Sequence, residues 1–413
     1  MKTISIIGLG YIGMPLAVML ADKNKKIYGY DSDLKVIEDI KKNKIKIKES
    51  DFLQKFNNQK IKRNFIPLNK IIKSDVYIIA VPTPFNEKTL KPVISAVKNS
   101  IFKILNLLEP NNLIIIESTC PVGTTELIEK LIYKKRIDLK KNSINIAYCP
   151  ERILPGNTLN ELIYNDRIIG GINNKSSLYA KKIYKLFVKG NLKITDAKTA
   201  EMCKLVENTY RDINIAYANE LSMISNKLGI NVWKLIDLAN LHPRVNILKP
   251  GPGVGGHCIA VDPWFLISQN VKLSKLIYTA RKINNDKTNW VIDNINKKIR
   301  FLEKKKNNFK KITVSFFGAT YKPNSEDLRE SPSIKIINHF LSMKKLNTSV
   351  VEPNIDQKSF KHLNLTNTKN AIKKSDIVVI LVNHKEFKNL KIFNKNNTKT
   401  EILDISGLHN SLK

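Results

Sequence analysis

Short apolar runs alternate with stretches of helical period along most of this chain. Thr3 to Ile7 is a short apolar run, and an apolar helix pattern follows through Leu20. Lys26 to Tyr30 reads as a second strand, and Asp75 to Val81, Leu113 to Glu117 and Ile144 to Tyr148 as further ones. Asp166 to Gly171 ends this first region. From Asp196 to about Leu228 the pattern predicts one long helix, because no Pro or Gly interrupts it before Gly229. Helical stretches follow over Val232 to Ala239 and about Leu273 to Leu302, and a Lys/Asn-rich linker closes this part near Lys311.

The last region repeats the first. Ile312 to Phe317 and Thr348 to Glu352 read as strands, with a helix over Ser331 to Leu341 between them. Lys373-Lys374-Ser375-Asp376 before IVVILVNH echoes Lys73-Ser74-Asp75 before VYIIAVPT. The economical architecture is α/β: two Rossmann-like doubly wound domains joined by a central helical region with one long helix.

Charge changes this picture little. Lys plus Arg number 70 against 36 Asp plus Glu, a net charge of +34 over 413 residues. Such an excess suits an anionic partner. The lysines are scattered among Asn and Ile, however, and no basic block is interleaved with aromatics. A compositional drift explains the charge better than a nucleic-acid surface. The four cysteines lack zinc spacing, so no metal site is expected and a reduced, cytoplasmic protein is. No stretch is apolar enough to insert in a membrane, and the N-terminus enters a strand directly, so no signal peptide is expected.

Candidate chemistry starts at Gly8-Leu9-Gly10-Tyr11-Ile12-Gly13. A G-x-G-x-x-G between a strand and a helix is the dinucleotide fingerprint, with Gly8, Gly10 and Gly13 allowing a tight turn and close approach of a pyrophosphate. Asp31 stands at the end of the second strand. It is either an acidic turn residue or the acceptor for ribose hydroxyls, which favours NAD over NADP. The strands ending at Pro82-Thr83-Pro84 and Ser118-Thr119-Cys120 place small hydroxyl residues where an open parallel sheet binds ligands.

The stretch Lys249 to Leu266 packs four glycines and two prolines into the seven residues from Pro250, just before His257-Cys258. Cys258 is either a buried structural thiol or a nucleophile held near the helix start at Asp262-Pro263. Lys204, Asn208 and Arg211 share one face of the long helix, as a solvated stripe or as part of a site. Glu151 and Arg152 read as a surface ion pair, or as a base and a phosphate or sugar contact.

Taken together, GLGYIGMP, VPTP, ESTCPVGTT, CPERILPGN, KLVENTYRDINIAYANE, GPGVGGHCIAVDP and FGATYKPNSEDLRESPS make the chain resemble the nucleotide-sugar 6-dehydrogenases, over essentially its whole length. The segment from His242 to Phe265 resembles the branch that acts on an N-acetylmannosamine nucleotide. The resemblance implies an NAD-binding Rossmann-like domain over 1–195, a central helical dimerisation region with the Cys loop over 196–305, and a C-terminal UDP-sugar-binding α/β domain over 306–413. It implies a homodimer that makes a uronic acid for a surface polysaccharide, with a UDP-sugar as substrate.

By the same resemblance Cys258 is the nucleophile and Lys204 stabilises the oxyanion. Asn208, Thr119 and Asp262 position water and the reacting oxygen, and Glu151 is the base for hydrolysis. Cofactor contacts carry over onto Tyr11, Ile12, Asp31, Thr83, Thr124 and Arg329. Substrate contacts carry over onto Arg152, Ile153, Lys204, Asn208, Arg211, His242, Arg244, Gly255, Tyr321 and Lys322. The match weakens after Lys385, where Gly407-Leu408-His409-Asn410 replaces the usual basic residue. Other readings are open: a 6-dehydrogenase of UDP-N-acetylglucosamine or UDP-glucose, a non-catalytic basic binding protein that kept the fold, and a two-electron 3-hydroxyacid dehydrogenase, which needs no thiol.

Overall fold

The computed structural model of the chain describes residues 3–86, 88–153, 156–306, 311–356, 360–388, 390 and 400–409. The chain forms two units, Met1–Glu207 with Trp264–Gln269, and Asn208–Pro263 with Asn270–Lys413. In the first, the strands are β1 (Thr3–Ile7), β2 (Lys26–Tyr30), β3 (Phe65–Leu68) and β4 (Val76–Ile79). A small hairpin of β5 (Phe85–Asn86) and β6 (Lys91–Pro92) follows. Then come β7 (Leu113–Ile116), β8 (Asn145–Tyr148), β9 (Arg167–Gly171) and β10 (Leu192–Asp196). All but the hairpin join one sheet, ordered β10-β9-β8-β7-β4-β1-β2-β3.

Every residue of β4, β7 and β8 is buried, as expected of central strands covered by helices on both faces. The period of two divides their side chains between two cores. Ile4, Ile6, Ile78 and Ile115 fill one face. Ile7, Ile79, Ile114 and Ile116 fill the other. Each contributes about 1.5–3 kcal/mol of apolar burial. The helix Gly13–Asp22 starts straight after the glycine turn and buries residues 13 to 21, so the turn is clamped from behind.

One detail departs from the open parallel sheet read in the sequence. β9 pairs with β8 antiparallel, through Ala147↔Gly171 and Tyr148↔Gly170, and carries β10 parallel to itself. An apolar run such as RIIGG states burial but not direction. Its direction follows from where the chain returns, which hydrophobicity does not encode.

In the second unit, residues of the long helix Ala197–Lys227 lie along the helix Lys275–Lys306 through a buried polar seam. Arg281 Nη1 donates to Asp212 at 2.5 Å, Asn284 Nδ2 to Asp212 at 2.7 Å, and Asn219 Nδ2 to Asn284 at 2.9 Å. Lys287 Nζ reaches Ser222 Oγ at 2.6 Å. The sheet is β12-β11-β13-β14, all parallel, with β11 (Thr313–Phe317), β12 (Asn347–Val351), β13 (Ile377–Ile380) and β14 (Glu401–Asp404).

The repeat seen in the sequence extends to individual bonds. In the first sheet Thr3 N donates to Asp75 at 2.7 Å, and Ser5 Oγ meets Ser74 Oγ at 2.8 Å. In the second, Thr313 N donates to Asp376 at 2.9 Å, and Ser375 Oγ meets Ser315 Oγ at 2.6 Å. Asp31 accepts from Leu9 N at 2.9 Å, and Glu352 accepts from Ala319 N at 2.7 Å. The two then diverge. Glu352 is buried against His384 Nε2 at 3.1 Å, so its carboxylate is turned inward where that of Asp31 is half-exposed. At the far end, Gly407 has φ +73°, and a Cβ there would stand 2.7 Å from the Trp233 ring; Asn410 lies outside the described residues.

Candidate active site

The glycine turn of the first unit divides its three glycines by task. A Cβ on Gly13 would stand 1.9 Å from Gly8 O, and one on Gly8, where φ is +94°, would stand 2.4 Å from Ala80 O. These two exist for packing. A Cβ on Gly10 would meet nothing within 4 Å, so that position faces open space. Tyr11 is exposed and Ile12 and Asp31 half-exposed beside it. Asp31 takes backbone N–H groups of Leu9 and Asp33 on its two oxygens, which aims it while leaving lone pairs for a ribose. A turn with one open glycine, a helix start and an aimed carboxylate fits NAD.

The Ser118–Thr125 loop is fixed by a residue that no motif reading singled out. Glu201, fully buried on the long helix, accepts from Gly123 N at 2.6 Å, Thr125 N at 2.7 Å and Thr125 Oγ1 at 2.6 Å. Gly123 is the N-cap of the next helix and has no side chain of its own, so Glu201 caps it from outside. Burial pushes the Glu201 carboxyl above its usual range, against these bonds. Thr119 is half-exposed in this loop, as is Thr83 at the end of β4. Thr124 is buried and donates to Pro121 O at 2.7 Å, so its hydroxyl shapes the loop.

Glu151 is not in a surface pair with Arg152. It is buried, and its carboxylate accepts from Arg167 Nη2 at 2.8 Å. Arg152 instead reaches Glu207 at 2.8 Å and Asp166 O at 3.1 Å, and Ile153 packs on the core. Arg167 also bonds Glu117 at 3.3 Å, and Glu117 accepts from the Tyr184 hydroxyl. Burial pushes the Glu117 carboxyl up to about 7, with Arg167 opposing and Glu151 adding to the shift. The backbone oxygen of Glu151 accepts from Lys204 Nζ at 2.7 Å. An ammonium held by a neutral carbonyl keeps its charge available.

In the second unit, Asn208 Nδ2 donates to the buried Asp262 carboxylate at 2.6 Å. Asp262 opens the helix Asp262–Gln269, and its own N–H and that of Val261 bond Cys258 O at 2.8 and 3.0 Å. Cys258 is exposed, which removes the reading of a buried structural thiol. Cys120 and Cys149 are buried, and burial pushes both thiols well above their usual range.

The loop holding Cys258 is pressed against its own unit. A Cβ on Gly255 would stand 2.4 Å from Glu330 O, and one on Gly256, where φ is +83°, would stand 2.8 Å from the Tyr321 ring. Gly251 N donates to Asn219 at 2.9 Å, and Pro252 O accepts from Thr288 at 3.0 Å. Tyr321 and Lys322 are half-buried. Arg329 forms a bidentate pair with Asp327 at 2.8 and 2.6 Å. Desolvation, then the Arg329 charge, holds the His257 imidazole below its usual range. Arg211, His242 and Arg244 are exposed. Arg167 and Glu201 escaped the sequence reading as site residues, and Glu117 entered it only as a strand end and the first residue of a motif. The one available signal was a charged residue touching a fully apolar run, as in LIIIE for Glu117.

Among the described residues no group of His, Cys, Asp and Glu could hold a metal ion, and no helix is long and apolar enough to cross a membrane. Three domain profiles of the UDP-glucose/GDP-mannose dehydrogenase family match the chain: the NAD binding domain over residues 2–188, the central domain over 198–286 and the UDP binding domain over 315–410. The chain is 45% identical to a UDP-N-acetyl-D-mannosamine dehydrogenase of Yersinia pestis, covering 94% of this chain and 95% of that one. It is 42% identical to an NDP-N-acetyl-D-galactosaminuronic acid dehydrogenase of Ralstonia nicotianae, covering 94% and 92%. Its fold superposes on a UDP-N-acetyl-mannosamine dehydrogenase of Staphylococcus aureus with a TM-score of 0.84 at 35% identity, covering 100% of each chain.

Proposed function

The chain belongs to the UDP-glucose/GDP-mannose dehydrogenase family, and on that premise we propose that it oxidises UDP-N-acetyl-D-mannosamine to the corresponding uronate. The sugar C6 goes from primary alcohol to carboxylate, a four-electron change. The Gly8–Gly13 turn and Asp31 would hold NAD, which would supply the hydride acceptor for both oxidation levels.

The chain's own residues manage what lies between. The Cys258 thiolate adds to the C6 aldehyde, forming a carbon–sulfur bond, and the carbonyl oxygen becomes the alkoxide of a thiohemiacetal. After the second oxidation the product is a thioester on Cys258. Water then adds to its carbonyl, the carbon–sulfur bond breaks, and the thiol is regenerated with the carboxylate. Lys204 offers its ammonium to the oxygen that gains charge at each stage. Asn208 and Asp262 hold that oxygen and the water, with Thr119. Arg152, Arg211, His242, Arg244, Tyr321 and Lys322 take the diphosphate, uridine and sugar.

The exposed Cys258, on a loop whose glycines leave no slack against Tyr321 and Glu330, is the observation that carries this reading. It also disfavours a two-electron hydroxyacid dehydrogenase. The same reading includes domains at 1–195, 196–305 and 306–413, a cytoplasmic setting, a role in surface polysaccharide synthesis and a homodimer through the central helices. Tyr210, Tyr217 and Ile224 are exposed on one face of the long helix, with exposed Leu228 just past its end, an apolar stripe that supports self-association.

The choice of sugar rests on the relatives' names and on the His242–Phe265 segment. The Ralstonia nicotianae relative keeps an N-acetylgalactosamine nucleotide as the competing substrate. The test is kcat/KM on UDP-N-acetylmannosamine, UDP-N-acetylgalactosamine, UDP-N-acetylglucosamine and UDP-glucose, followed as NADH. Unpaired buried polar groups cost about 1–3 kcal/mol each, so the wrong sugar should lose on the order of tenfold to a hundredfold. UDP-glucose matching or exceeding UDP-N-acetylmannosamine overturns the substrate and leaves the catalytic assignment standing.

A further inference from the structure

Arg167 lies outside every motif that led to the site, yet it sits at the start of β9 between two buried carboxylates. Its Nη1 bonds Glu117 and its Nη2 bonds Glu151, and its guanidinium lies over the Tyr184 ring at 4.8 Å. Arg167 is 4% exposed, Glu117 1% and Glu151 6%, so water does not compete for these bonds. Glu151 is thus held at its side chain by Arg167. Its other carboxylate oxygen accepts from Arg152 N, which stiffens the backbone at that residue. The main-chain oxygen of this same residue accepts from Lys204 Nζ at 2.7 Å. A side chain and a carbonyl of one residue, both immobilised, form a rigid link from guanidinium to ammonium.

We infer that Arg167 is the positioning residue of Lys204: by pinning the Glu151 carboxylate it fixes the Glu151 carbonyl, which aims the Lys204 ammonium. The inference rests on Lys204 being the group that stabilises the oxyanion, as proposed above. In this link Glu151 acts through its backbone oxygen, while its carboxylate is held by Arg167. Lysine at 167 cannot replace arginine, because a single ammonium lacks the planar fork that bridges two carboxylates. Glu117 keeps one buried oxygen without a hydrogen-bond partner in the structure, so the cluster holds more carboxylate than one guanidinium satisfies. Glu151 therefore depends on Arg167 for its orientation.

The experiment compares the full chain with Arg167→Lys, and reads Lys204 in two ways. The first needs no sugar. Brief acetylation followed by peptide mass spectrometry measures the reactivity of the Lys204 amine against that of exposed Lys198. The expectation is several-fold faster labelling of Lys204 once its tether is loosened. The second is steady-state NADH formation. Displacement of a catalytic group by about 1 Å can cost a hundredfold, so kcat should fall about tenfold to a hundredfold while the KM for NAD stays within about twofold. Unchanged Lys204 labelling in a folded Arg167→Lys chain overturns the inference whatever the substrate proves to be. A parental kcat, or a loss confined to KM, overturns it as well. Should Arg167→Lys fail to fold, Glu151→Gln keeps the volume and the backbone carbonyl and breaks the ion pair. Faster Lys204 labelling in that variant supports the link, and parental labelling overturns it.

Discussion

Asn208 donates its side-chain amide to the Asp262 carboxylate at 2.6 Å, joining the polar face of the long helix to the first residue of the helix after the Cys258 loop. Asp262 is 3% exposed, and a carboxylate so buried holds its partner tightly. The pair therefore orients Asn208 as firmly as the Cys loop itself is oriented. In Asp262→Asn the size is kept and the charge is lost. The expected result is a kcat lower by about a hundredfold with a melting temperature within a few degrees of the parent. Steady-state kinetics and a thermal melt on the same preparation check this. A parental kcat would make the pair a purely structural one.

On the proposed reading, the thiol at 258 governs the second half of the oxidation. The parent should form two NADH per sugar consumed. In Cys258→Ser the hydroxyl adds poorly and is a poor leaving group, so uronate formation should fall on the order of a thousandfold or more. The stoichiometry, read from NADH and from uronate by mass spectrometry, separates this from simple loss of binding. Normal uronate output from the Ser variant would falsify the covalent route.

The proposed reading places the choice of cofactor at Asp31. Its carboxylate is aimed by Leu9 N and Asp33 N, and a 2′-phosphate would meet that negative charge. NAD should be preferred over NADP by at least about tenfold in kcat/KM. Asp31→Ala should raise the KM for NAD and shrink the preference. Equal use of both cofactors by the parent would remove this role from Asp31.

Lys287 carries a pH signature in stability. Burial depresses its pKa to about 7 from its ordinary 10.5. Between those values the unfolded chain binds a proton there that the folded chain does not. Stability attributable to this site therefore rises with pH from about 7 toward 10.5, and the cost is fully present below about 7. The penalty is on the order of a few kcal/mol. Lys287→Met should raise the melting temperature most at pH 6–7, with the gain shrinking by pH 10. A gain that grows with pH would show that the ammonium is stabilised where it sits.

The internal repeat was legible in an unusual degree of detail. Ser74-Asp75 and Ser375-Asp376 look alike in sequence because each dipeptide makes the same two bonds, to Ser5 and Thr3 in one sheet and to Ser315 and Thr313 in the other. What differs between the halves was not legible. Asp31 and Glu352 both end a second strand, and only the placement of His384 beside Glu352, 32 residues later in the chain, turns the second carboxylate inward.

From sequence alone, most strands of the two sheets, the long helix and the glycine turn with Asp31 follow from period, punctuation and the conformational freedom of glycine, all local properties, while the edge strands β3, β10 and β14 were not read. The tertiary structure alone decided the direction of β9, the capping of Gly123 by Glu201, the exposure of Cys258 against the burial of Cys120 and Cys149, and the tie from Arg167 through Glu151 to Lys204. Each of these depends on a partner tens of residues distant or on what covers a side chain. A charged residue reads the same in sequence whether it faces water or a buried countercharge, and only the packed chain distinguishes the two.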